Sequence, residues 1–217
     1  MTRPIFITGI GTGVGKTPVA AIVTEALGAD YWKPVQAGFS EGTDTDLIKH
    51  LLTHTCSRVH DELYKLNTPA SPHIAAGKDG ITIEANNILQ TARSIMESAK
   101  PKQLVIESAG GLLVPLADGL MMADIISQLN ARVILVSRNY LGSINHSLLT
   151  AAFCKCRGID VLGWIFNDDY MHYEEEIVEW SGYPSLVSIP KLTVIDPVTI
   201  RTHALGLQTA LFEKLKT

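Results

Sequence analysis

The sequence predicts an α/β fold, a single domain with a mainly parallel sheet covered by helices on both faces. Three observations predict it. Short apolar runs alternate with segments of helical period along the chain, the strand–helix–strand order of parallel α/β folds. The runs LVIE (104–107) and VILV (133–136) are apolar without alternation, as strands are when helices cover both faces. The 217 residues contain no Gly/Ser/Pro-rich linker, so one domain over 1–217 is expected, of a size that buries about 70 to 75% of its unfolded surface.

In order, strands are expected at 5–8, 31–35, 103–107, 133–137, 161–167 and 185–189. Helices are expected at 16–27, 45–52, 84–98, 121–129, 144–156, 173–180 and 200–214. Pro18 falls in the first turn of the first helix, where no N–H bond is lost. Pro34 marks its strand as an edge or a strand end, because it cannot donate to a ladder. In such sheets ligands collect beyond the carboxyl ends of the strands, so chemistry is expected just after each one.

Composition narrows the function. Apolar residues make up 46% and charged residues 18%, an ordinary globular balance. A net charge of −4 and a pI near 6.0 do not supply the positive field that non-specific nucleic-acid binding needs. The start, MTRPIFITG, has no signal-peptide pattern, and no run approaches 18 apolar residues. A cytoplasmic protein with neither a nucleic-acid nor a membrane partner is the expectation. Cys56, Cys154 and Cys156 form no CxxC pair and read as buried or half-buried thiols in a reducing compartment.

The first strand runs into Gly9-Ile10-Gly11-Thr12-Gly13-Val14-Gly15-Lys16-Thr17, and a helix follows. Glycines let backbone N–H groups turn inward around phosphate oxygens, and the helix N-terminus adds partial positive charge. Thr12, Gly13, Val14 and Gly15 form this cradle. Lys16 is placed to reach the β- and γ-phosphates of ATP, and the Thr17 hydroxyl to ligate Mg²⁺. Five residues separate Gly9 from Gly15, one more than in the usual G-x-x-x-x-G-K-[ST] spacing.

Glu107 ends its strand before Ser108-Ala109-Gly110-Gly111, and a carboxylate so placed can hold a metal directly or through water. The loop Glu41 to Asp46 offers further carboxylates, although Thr45 or Asp44 also suits a helix cap. Lys33 can neutralise a transferring phosphoryl group or face solvent. The stretch Tyr140 to His146 leads into a helix start, with Ser143 as its expected cap, that can bind an anion or simply be capped. Asn167 can pair with an adenine edge or form a turn. His73 and His146 lack metal-site spacing and are expected to pack or hydrogen-bond.

In this order, GTGVGKT, KPVQAG, TDTD, SPHIAA, IESAGGLLVPL, LGSINHSLLT and FND resemble the motif series of the dethiobiotin synthetases, from about residue 5 to residue 190. Chromosome-partitioning ATPases share the first motif but carry a second lysine near the loop start, where this chain has Gly11. The resemblance implies an ATP-dependent cyclo-ligase of biotin biosynthesis that converts 7,8-diaminopelargonate and CO₂ to dethiobiotin, with release of ADP and phosphate. It further implies Lys16 and Lys33 at the carbamate and γ-phosphate, Mg²⁺ held by Thr17, Asp46 and Glu107, and adenine read by Asn167.

The resemblance also places Ala37 and Gly110 beside the substrate. It makes the helix start at Gly142, Ser143 and Asn145 the seat of the substrate carboxylate, supplied by the partner of a homodimer. Three positions depart from the family pattern: Gly13 stands where an acidic residue can occur, Ala37 where a hydroxyl residue follows KPV, and Ser108 where glycine is common. Contacts from the missing groups then fall to Thr12, backbone or water.

Overall fold

The computed structural model describes residues 3–98 and 102–216. The chain opens with β1 (Ile5–Gly9), α1 (Lys16–Leu27), β2 (Asp30–Trp32), β3 (Val35–Ala37) and α2 (Asp44–Leu51). Two short strands, β4 (Val59–His60) and β5 (Tyr64–Leu66), precede α3 (Pro72–Asp79) and α4 (Ala85–Ser98). Then come β6 (Leu104–Glu107), β7 (Pro115–Ala117), β8 (Leu120–Met121) and α5 (Met122–Gln128). The last third contains β9 (Arg132–Arg138), α6 (Ser143–Cys156), β10 (Asp160–Asn167), α7 (Glu174–Ser181), β11 (Ser185–Ile189) and α8 (Pro197–Lys216).

Among the described residues, seven strands form the main sheet in the order β11-β10-β9-β1-β6-β2-β4, and every pairing in it is parallel. Two apolar clusters lie on its two faces. One packs α1, α2 and α8 against Ile5, Ile7, Tyr31, Val105 and Ile134. The other packs helices α3 to α7 against Phe6, Trp32, Ile106, Val133 and Leu135. The alternation Ile5/Phe6/Ile7 between them is the two-residue period of a strand covered on both faces.

One expected strand is divided. Residues 31–35 do not run on as one strand: β2 stops at Trp32, and after Lys33-Pro34 the chain pairs as β3 with β5 in a separate two-stranded sheet. Pro34 has no N–H to give, so the ladder ends there, and its carbonyl instead accepts from the N–H groups of Leu63 and Tyr64. The division lifts Lys33 off the sheet at the carboxyl end of β2.

The second helix starts one residue earlier than expected, because Thr43 rather than Thr45 or Asp44 caps it. All three cysteines are free: Cys154 is buried, its thiol pushed up to about 12 by burial, while Cys56 and Cys156 are exposed rather than half-buried. Among the described residues no helix is long and apolar enough to cross a membrane.

Candidate active site

The all-buried strand β1 delivers the chain to the glycine loop at the carboxyl end of the sheet, and α1 starts at Lys16. Gly15, the residue before the helix, has φ +85°, and a Cβ there would lie 2.5 Å from Nδ2 of Asn167. Only glycine meets both conditions. Asn167, at the tip of β10, donates through Nδ2 to the carbonyl of Val14 at 2.7 Å and so ties the loop to a second strand end. Gly111 has a similar reason: a Cβ would meet the carbonyl of Gly9 at 2.9 Å, so the turn after Glu107 can lie against the loop only without a side chain.

Beside the loop is a cleft of about 810 Å³, lined by Thr12, Gly13, Gly15, Lys16, Thr17, Lys33, Ala37, Asp44, Glu107 and Gly110 among others. Most of the expected loop, metal and substrate residues therefore meet in one place. Lys16 Nζ donates to the carbonyl of Gly11 at 2.9 Å. Burial lowers the pKa of Lys16, and neighbouring Lys33 adds to this against the opposite pull of Glu107 and Asp44.

Lys33 is only 6% exposed and Glu107 only 1%. Lys33 Nζ pairs with Asp44 Oδ2 and lies 3.2 Å from Glu107 Oε1. Burial alone would lower its pKa, but the Glu107 and Asp44 carboxylates outweigh that cost and raise it. The Thr17 hydroxyl faces both carboxylates, 2.9 Å from Glu107 Oε1 and 3.1 Å from Asp44 Oδ1. Two carboxylates and a hydroxyl converging beside a phosphate loop make a hard-oxygen donor set of the kind Mg²⁺ takes together with phosphate oxygens and water. Among the described residues there is no group of three or more His, Cys, Asp or Glu that could hold a metal ion.

The structure does not bring Asp46, the expected acidic partner, to Thr17 and Glu107. Asp46 is exposed and closes a capping box: its backbone N–H donates to Thr43 Oγ1 at 3.0 Å, and its carboxylate accepts from the Thr43 N–H at 3.2 Å. Those bonds hold its pKa below the usual carboxylate range. Asp44, two residues earlier and at the first position of the helix, faces Thr17 and Lys33 instead.

A second cleft of about 280 Å³ adjoins the loop on the side of β10 and β11. Asn167 lines it together with Arg138, Asp168, Lys191, Leu192 and Ile195. The residues after Pro190 had no role in the sequence reading, although their position just beyond β11 follows the same strand-end rule.

Gly142, Ser143 and Asn145 are not brought into either cleft within the chain. Gly142, at φ +104°, is the N-cap with no side-chain capping bond, and Ser143 is the buried first residue of α6 rather than the cap. Further along α6, His146, Leu149, Thr150 and Phe153 line a third cleft of about 360 Å³ with Gly9 to Thr12 and Gly111 to Val114. His146 Nδ1 lies 2.6 Å from Tyr140 Oη, and His73 Nδ1 lies 3.2 Å from Ser71 Oγ, so both make the local polar contacts expected of them.

A glycine loop between the first strand and first helix of a parallel sheet, with a lysine, a hydroxyl and strand-tip carboxylates around it, defines the P-loop NTPase fold. Solved structures agree at the level of fold. The MinD septum-site protein of Pyrococcus horikoshii superimposes with a TM-score of 0.59 at 16% identity, covering 100% of this chain and 95% of that one. A ParA family ATPase from Chlorobium tepidum gives 0.56 at 16% identity, covering 100% and 93%.

The AAA domain family matches residues 3–199. An ATP-dependent dethiobiotin synthetase BioD of Christiangramia forsetii is 44% identical over 98% of this chain and 100% of its own length. Those of Rhodopseudomonas palustris strain HaA2 and Cytophaga hutchinsonii are 43% and 44% identical over 93% and 94% of this chain, and 92% and 97% of their own lengths. The chain belongs to the ATP-dependent dethiobiotin synthetase family.

The placement of the two aspartates has a direct consequence for variants. Asp44→Asn is expected to raise the Mg²⁺ concentration for half-maximal turnover at least about tenfold. Asp46→Ala is expected to lower the melting temperature through the lost cap and to leave the Mg²⁺ requirement as it was. Metal titrations of turnover with melting curves check both, and the reverse pattern would restore Asp46 to the site.

Proposed function

We propose that this chain closes the ureido ring of dethiobiotin from 7,8-diaminopelargonate, CO₂ and ATP, releasing ADP and phosphate in the penultimate step of biotin biosynthesis. The observation that carries the reading is the buried Lys33 between Asp44 and Glu107 at the mouth of the phosphate loop, beside a cleft with room for a second substrate. In the reaction the family resemblance implies, a substrate amine adds to CO₂ and loses a proton to give a carbamate. A carbamate oxygen then takes the γ-phosphoryl group as ADP leaves, and the second amine attacks the carbonyl carbon and expels phosphate.

No side chain has to act as a nucleophile in this sequence, so the protein's contribution is positioning and charge neutralisation. Lys16 and Lys33 face the transferring phosphoryl group and the carbamate, two anions that both need nearby cations. Thr17, Asp44 and Glu107 would hold Mg²⁺, which on binding supplies charge neutralisation at the phosphates. Ala37 and Gly110, both on the cleft wall, would lie against the diamine. Asn167, through its position beside the loop, would read the adenine base.

A homodimer with a substrate site shared across the interface fits the surface beside the third cleft. Leu113 and Leu149, on the wall of that cleft, are 60% and 61% exposed, and Leu141, 82% exposed, immediately precedes the α6 start that would seat the substrate carboxylate. Sedimentation at a monomer's mass would contradict this part of the reading. The cytoplasm is the proposed location.

The fold alone also suits a partitioning ATPase, but Gly11 in place of a loop lysine and the acidic charge balance weigh against it. The decisive assay measures phosphate release from ATP and Mg²⁺ with diaminopelargonate and CO₂ each supplied or withheld. Release is expected only when both are present, and Lys33→Ala is expected to reduce it at least about tenfold. Turnover indifferent to both co-substrates would overturn the synthetase reading.

A further inference from the structure

The contact that fixes Glu107 comes from a residue outside the motif series. Tyr31 lies in β2 opposite Val105 of β6, and Trp32 lies opposite Ile106. Side chains alternate along a strand, so Tyr31 projects to the same face of the sheet as Val105 and, two residues further along β6, Glu107. That face is the one α1 covers, where Thr17 sits. Tyr31 is fully buried, and its hydroxyl donates to Glu107 Oε2 at 2.8 Å. The other carboxylate oxygen, Oε1, meets Thr17 Oγ1 and Lys33 Nζ.

We propose that Tyr31 is a positioning residue for Glu107, holding Oε2 so that Oε1 alone is turned toward Thr17 and the metal. A nearly inaccessible carboxylate has four lone-pair directions to satisfy and few donors to satisfy them. If the phenol is removed, Oε2 has to find its donor within the site, and Lys33 and the cation are the groups within reach. The carboxylate then rotates, and the single-oxygen presentation is lost. Groups behind a metal ligand commonly set metal affinity by about ten- to a hundredfold in this way.

The inference rests on the reading that Glu107 holds the metal, and the test separates the two. Equilibrium Mn²⁺ binding to the protein with ADP is measured for the parent chain, Tyr31→Phe, Glu107→Gln and Val105→Ala, with no turnover involved. Tyr31→Phe is expected to weaken Mn²⁺ binding about tenfold and to leave ADP binding without metal unchanged. Val105→Ala, which loosens the same buried face without touching Glu107, is expected to bind Mn²⁺ as the parent does.

Parent-like Mn²⁺ affinity in Tyr31→Phe, or equal weakening in Val105→Ala, would reduce Tyr31 to a packing residue. Parent-like affinity in Glu107→Gln would overturn the metal assignment and the inference with it. Should Tyr31→Phe fail to fold, 3-fluorotyrosine at position 31 keeps the hydroxyl and reports on it. Its fluorine resonance is expected to move when diamagnetic Mg²⁺, used here in place of Mn²⁺, is added to the ADP complex, and no movement would contradict the coupling.

Discussion

A lysine ammonium buried between two carboxylates is the constraint around which this molecule is arranged. Removing a charge from water costs several kcal/mol, and only close partners with satisfied hydrogen bonds offset it. Lys33 meets that condition because three chain segments converge: β2 ends just before it at Trp32, β6 ends on Glu107, and α2 starts on Asp44. The same convergence brings Thr17 in from α1. Loss of either acid would leave a buried cation without adequate compensation, so the polar cluster depends on the sheet order as much as on its own bonds.

The apolar organisation serves this arrangement. Parallel strands buried on both faces carry their side chains in strict alternation, so the face under α1 presents Tyr31 and Glu107 together, and Lys33, just past the end of β2, meets Glu107 there. Proteins that share the sheet, such as MinD and ParA, are similar at the level of strands and helices. What this chain adds is at the strand tips, where function is set by loops and not by the sheet.

Much of this was legible in the residues. The glycine loop, Lys16, Thr17 and Glu107 are candidates from strand ends and from what phosphate and metal ions require, the residues alone leave Lys33 open and only the family resemblance places it, and the continuous apolar runs predicted the two-sided sheet. TDTD was not decipherable in the same way. Either aspartate suits a helix start, and the choice turned on whether Thr43 or a later residue is the cap, a matter of one residue that no periodicity decides. The division of residues 31–35 was signalled by Pro34 but depended on a partner strand, β5, too short to show in the pattern. Tyr31 reads in the sequence only as an aromatic strand residue, because its meaning comes from a register with β6 more than seventy positions away.

The central claim is that the site is balanced by Lys33 among Asp44, Glu107 and Thr17, and that the nucleotide with its metal replaces part of that balance. A crystal structure with Mg²⁺, a non-hydrolysable ATP analogue and diaminopelargonate tests it most directly. The account predicts Mg²⁺ on Thr17, Asp44 and Glu107, with the Lys33 ammonium moved from Asp44 toward the γ-phosphate. An intact Lys33 pair with Asp44 and a metal bound elsewhere would contradict it.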